Sequence, residues 1–197
     1  SPLAGDAEQV LPFQYAERHT DGNHEILVVT GAARLPKDLN SRDTVDSKYG
    51  SLEYRLTLSF TEDNLINVDL HLNNQVLSHR LRVVFSPEVP TDEALAQIQA
   101  GFVTTRNVSI PDNWQANYDE KPVNLYNFDK AVSITDTNSH LTFFGLGEKE
   151  YEYEDGKLYV TLLATTSELG KPDLAWRPGR ASGDTTNQGH IMMPTPL

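Results

Sequence analysis

The sequence predicts an all-β fold, a large antiparallel β-sandwich, spanning residues 1–197 as one domain. Three observations lead there. Apolar and polar residues alternate along most of the chain, which is the period of a half-buried strand. The alternating runs are separated by short turn sequences, as antiparallel pairing requires. Helical spacing is confined to one short stretch, so helices cannot make a layer.

Taken in order, residues 1–22 read as a linker or lead-in strand, and "EILVVTGAARL" as the first firm strand. In "SLEYRLTLSF" the apolar set is Leu52, Tyr54, Leu56, Leu58 and Phe60, with Glu53, Arg55, Thr57 and Ser59 between. After "TEDN" the pattern resumes at Ile66, Val68, Leu70 and Leu72, predicting a hairpin. Leu81, Val83 and Phe85 alternate next, with Arg80 and Arg82 on the other face. "TDEALAQIQA" (91–100) is read as a helix, Thr91 its N-cap and Ala94, Leu95 and Ile98 its apolar face. "KAVSIT" and "LTFFGL" are short strands. Asp155-Gly156, between Tyr151/Tyr153 and Leu158/Val160/Leu162, is the strongest hairpin signal in the chain.

With 38% hydrophobic and 22% charged residues, the chain can bury a core and is not a disordered tract. Its net charge of −12 argues against nucleic acid and anionic lipid and favours a neutral or cationic partner. The absence of cysteine excludes disulfides, thiolate chemistry and cysteine zinc sites, and is compatible with the cytoplasm. No apolar run reaches the ~18 residues of a membrane helix, and no export signal stands at the N-terminus. A cytoplasmic location is therefore expected. A start at Ser1-Pro2 and an end at "MPTPL" suggest a piece of a longer chain.

Recognised catalytic fingerprints are missing: no GxSxG, P-loop, HExxH or dinucleotide motif occurs. The six histidines (19, 24, 71, 79, 140, 190) show no helical metal spacing. His19 and His24 flank "TDGN", the sequence of a surface loop. Glu148, Glu150, Glu152 and Glu154 share one strand face, which spreads carboxylates apart and does not converge them on a cation. Arg80 and Arg82 in "NNQVLSHRLRVVF" read first as structural partners of acids on adjacent strands. "RPGRASGD" (177–184) is different. Pro178 fixes φ, while Gly179 and Gly183 permit backbone closed to other residues, so Arg180 would stand on a shaped loop, with a binding loop and a structural one equally compatible.

These blocks, in order with "GFVTTRN", "FFGLGEKEYE" and "KLYVTLLATTSEL", resemble the C-terminal β-domain of family 38 glycoside hydrolases, the α-mannosidases. The resemblance runs from about residue 45 to the C-terminus, with Ser78 where the family usually has an acid. It implies a mutarotase-like supersandwich packed on an N-terminal catalytic barrel and helical bundle. It also implies a retaining mannosidase whose nucleophile and zinc ion both lie in the absent barrel, leaving no cofactor and no catalytic residue in this segment. Arg180 is the matching position for a loop arginine at the active-site mouth, contacting mannose-containing oligosaccharide. Arg177, Gly179 and Gly183 join it as substrate-site residues, Arg177 alternatively as an anchor. Self-association stays open. Two other readings stand beside this one: a carbohydrate-binding module using Trp114 and Tyr118, and an aldose epimerase using His71 or His79 as base.

Overall fold

The computed structural model describes residues 8–42, 48–165 and 175–178, and Arg180, Gly179 and Gly183 lie outside the described residues. Among the described residues, twelve strands make three four-stranded antiparallel sheets, in agreement with the predicted class. The chain divides into two compact units, one built on residues up to His79 with Thr165, the other on Arg80–Ala164 with 175–178.

The first unit is one sheet in the order β1-β2-β3-β4: β1 Tyr15–Asp21, β2 His24–Pro36, β3 Tyr49–Phe60 and β4 Ile66–Asn74. Gly22, with φ +61°, closes the β1–β2 hairpin, and His24 opens β2 opposite Asp21. The predicted β3–β4 hairpin forms in full register from Leu52 opposite Asn74 to Phe60 opposite Ile66. Gly31 admits the Pro12 carbonyl and the Tyr54 ring, which lie 2.3 and 2.5 Å from where a Cβ would stand. Any side chain there would push the lead-in segment off the sheet.

The second unit is a sandwich of two sheets. One runs β10-β9-β6-β7, the other β5-β12-β11-β8, with β5 Arg80–Phe85, β6 Glu93–Ile98, β7 Gly101–Arg106, β8 Leu125–Asn127, β9 Ala131–Thr135, β10 His140–Phe144, β11 Glu150–Glu154 and β12 Lys157–Ala164. Asp155 (φ 50°) and Gly156 (φ 73°) both take left-handed backbone, the two-residue turn whose twist matches its strands. The inward residues of both sheets form one core: Ala94, Ala96, Val132 and Ile134 from one, Tyr151, Tyr153, Leu158 and Val160 from the other. Phe128 joins them, edge-on to Phe143 and Tyr151 at 6.0 Å.

The expected helix at 91–100 is strand β6 instead. Ala94 and Ala96 are buried while Leu95 is 41% exposed, so the period is two. Alanine's helix preference, a fraction of a kcal/mol per residue, yields to pairing with β7 and β9 and to a core position where only a small side chain fits. Thr91 caps no helix; its hydroxyl accepts the Glu93 N–H at 3.2 Å.

Tyr151 is fully buried, and its hydroxyl reaches Thr105 Oγ1 on β7 of the opposite sheet at 2.6 Å. Replacing Tyr151 by Phe should destabilise by about 1 kcal/mol, the net worth of a hydrogen bond, and by Ala by about 3–5 kcal/mol through the cavity. Urea unfolding of the two variants beside the parent chain checks both figures.

Candidate functional site

The arginine block lies on the β5-β12-β11-β8 sheet, and residues 176–177, at the start of the cationic loop, lie against residues 120–121. On β5, β11 and β12 the register brings Arg82 to Glu152 at 2.6 Å, with its guanidinium 4.5 Å over the Tyr159 ring. Arg80 lies 3.7 Å from Glu150, which also accepts from the Thr161 hydroxyl at 2.6 Å. The two arginines therefore brace their sheet, and two of the alternating glutamates are their partners. Cross-strand ion pairs of this kind add modest stability and fix register.

Only the foot of the 177–184 loop falls within the described residues. The Lys121 N–H donates to the Trp176 carbonyl at 2.8 Å, and the Lys121 ammonium lies 4.9 Å from the Trp176 ring centre. Arg177 makes a single-residue β-bridge, and its side chain, 14% exposed, reaches within 4.0 Å of Glu120. Trp176 and Arg177 are thus tied to the 120–121 segment immediately before the glycine-flanked residues. A loop leaving from such a foot spends less entropy on being held in one shape.

The segment before the arginines is organised by backbone capture. Asn74, buried, accepts the Val76 N–H at 3.2 Å and donates to the Val76 carbonyl at 3.0 Å, closing a tight turn at the end of β4. Ser78 sits at φ +57°, and its carbonyl accepts from Arg42 at 2.6 Å. His79 exchanges backbone hydrogen bonds with Thr165: its N–H meets Thr165 Oγ1 at 3.1 Å, and the Thr165 N–H donates to its carbonyl at 2.9 Å. Its Nε2 is buried with no partner among the described residues. Burial, and secondarily the Arg42 charge, hold the imidazole below its ordinary pKa, against a raising contribution from the Leu77 backbone.

The other candidates separate. Trp114, in a single 3-10 turn, is buried and offers no open ring, whereas Tyr118 is 52% exposed. His71 is exposed and pairs with Asp69 at 3.0 Å. No group of three His, Asp or Glu side chains among the described residues could hold a metal ion. An open cleft of about 500 Å³ in the first unit is lined by Gln14, Arg34, Tyr49, Ser51 and Gln75, but the Arg34 guanidinium covers the Tyr49 ring at 4.4 Å.

No protein-family profile matches the chain, and no curated protein matches it. Solved structures do. An α-mannosidase from Enterococcus faecalis V583 superposes with a TM-score of 0.62 at 25% identity, over 88% of this chain and 21% of that one. A glycosyl hydrolase family 38 protein, also from Enterococcus faecalis, gives 0.59 at 19% identity, over 93% and 21%. The likeness is to family 38 glycoside hydrolases. The chain spans about a fifth of the length of these solved chains. The blocks quoted from the sequence and the solved structures thus point to the same family.

Sequence reading missed the tie between Arg177 and Glu120, which are far apart in the chain and carry no shared motif. It also missed that two exposed phenylalanines, Phe102 and Phe144, lie on the two edge strands of one sheet, which depends on strand order.

The buried imidazole of His79 has a pH consequence. Unfolded histidine titrates near 6.5, and the folded pKa is lower, so the unfolded chain binds the extra proton. Stability from this group is complete above about pH 6.5 and falls as pH drops through and below it. Melting temperature should decline from pH 7.5 to 5.5, and the decline should be shallower in His79→Gln, measured by thermal scans at matched ionic strength.

Proposed function

We propose that this chain is the C-terminal β-domain of an α-mannosidase-like glycoside hydrolase, packing on the catalytic barrel and lending it the 177–184 loop. The observation that carries the reading is the superposition on a solved α-mannosidase over 88% of this chain and 21% of that one. The catalytic carboxylate and the zinc ion belong, on this reading, to the absent barrel. No described cluster here would hold a metal, and no chemical step is assigned to this segment.

The role of the segment is positional. Arg180, between Gly179 and Gly183, would present a planar, permanently charged fork to sugar hydroxyls at the mouth of the barrel. Arg177, engaged with Glu120, would hold the foot of the loop. Correct placement of a substrate contributes to rate without any proton transfer, because orientation is prepared before the reaction. Mannose-containing oligosaccharide is the expected substrate class. The net charge of −12 fits a neutral ligand better than a phosphorylated one.

The test is hydrolysis of an aryl α-mannoside by this chain and by its full-length parent, with and without zinc. Activity is expected only in the zinc-loaded parent, and Arg180→Ala in that parent should lower kcat/KM by about tenfold or more. Hydrolysis by the isolated chain would place a complete site within these residues and overturn the reading.

A further inference from the structure

The sheet β1-β2-β3-β4 has one apolar face, and only part of it is covered among the described residues. Side chains directly opposite in an antiparallel pair share a face. Register sets Leu27 beside Leu58 and Leu58 beside Val68, with Val29 beside Leu56 and Leu56 beside Leu70 on the adjoining rung. Phe60 and Ile66 end the series at the tip of the β3–β4 hairpin. The reverse face of the same two strands is polar, with Arg55, Thr57 and Ser59 opposite His71, Asp69 and Asn67.

Cover runs out along the apolar face. The lead-in segment crosses it at the rung of Gly31 and Tyr54, where the Tyr54 hydroxyl donates to the Pro12 carbonyl at 3.2 Å. Leu72, on the same rung, is 5% exposed. Toward the tip, Val68 is 45% exposed, Ile66 53% and Phe60 36%. A sheet with one apolar face gains its stability by burying that face against a second layer, and this hairpin carries the pattern to its end. Beside the open end, a shallow hollow of about 220 Å³ is lined by Arg18, Glu25, Ile26, Leu27 and Phe60. Arg18 and Glu25 form an ion pair, so an apolar floor meets a charged edge, as at the rim of a protein interface.

We propose that this face docks the domain on the remainder of its parent chain, with an apolar surface of that chain lying on Leu58, Val68 and Ile66 and one large apolar side chain entering the hollow beside Phe60. This docking presupposes the reading of the chain as one domain of a longer glycoside hydrolase and adds the surface through which it is held. The solved α-mannosidase that superposes on 88% of this chain has 21% of its own length matched, so most of such a parent lies outside this chain and can supply the cover. A glycan does not fit, because the side chains of Leu58, Phe60, Ile66 and Val68 offer no donor or acceptor and a sugar rim needs both. Charge opposes a second copy of this chain, since each copy carries −12. An apolar contact of this kind fixes one arrangement of two domains, where a small polar one lets them move.

The experiment is hydroxyl-radical footprinting of the full-length parent and of this 197-residue chain, read at Phe60, Ile66 and Val68. Oxidation at all three should fall about fivefold or more in the parent, the step from half-exposed to core burial. In the parent, Ile66→Lys/Val68→Lys should lower the melting temperature by about 5 °C or more, as charge placed in an apolar contact does, and should leave the 197-residue chain within about 2 °C of its unsubstituted form. Ile66→Thr/Val68→Thr, which keeps strand preference, should give a smaller loss in the parent alone. Equal oxidation in parent and chain, or equal effects of the substitutions in both, overturns the proposal. So does a 197-residue chain that sediments as a dimer and becomes monomeric with the same substitutions, which would make the face a contact between copies. Hydrolysis is read separately: a parent that protects this face but leaves an aryl α-mannoside intact defeats the mannosidase reading alone, and a hydrolysing parent with the face open defeats the docking alone.

Discussion

A tyrosine hydroxyl inside an aliphatic core must find a partner or cost the fold a desolvated polar group. Tyr151 solves this across the sandwich, reaching Thr105, whose own hydroxyl is 3.2 Å from the Ala94 carbonyl. Tyr153, two residues along the same strand, donates to the Val89 carbonyl at 2.5 Å. These two bonds are directional, unlike the hydrophobic contacts around them. They fix how the sheet bearing the glutamates lies over the sheet bearing the two phenylalanines. Everything placed on either outer face inherits its position from that lock.

The outer faces then have distinct characters. One is covered by ion pairs from Arg80 and Arg82, with Arg82 only 17% exposed. The other leaves two rings in water. Residues 176 and 177, where the 177–184 segment begins, are held by contacts with Lys121 and Glu120.

Much of this was legible from residue order because hairpins are local. The β3–β4 pair and the Asp155-Gly156 turn are written in alternation and turn chemistry, with nothing distant needed. Strand β6 was not, since Ala-Leu-Ala carries no branched or aromatic mark and its period appears only once β7 and β9 decide which alanines are covered. Arg80 and Arg82 read from sequence as partners of acids on adjacent strands, and those acids are Glu150 and Glu152 of β11. The meeting of Arg177 with Glu120 and the rung of Phe144, Ala131, Gln97 and Phe102 follow from topology, which single-sequence periodicity does not encode.

Among the described residues the sheets are all open, so each ends in strands whose outward N–H and C=O groups can pair with another chain. Most of these edges are guarded: β8 has three residues, β1 carries Glu17, Arg18 and His19, β4 carries Asp69 and His71, and β7 ends in Arg106. Strand β10, His140–Phe144, has no acid, lysine, arginine or proline. When the sheet is handled apart from whatever normally surrounds it, that edge is where intermolecular β-pairing and aggregation would nucleate.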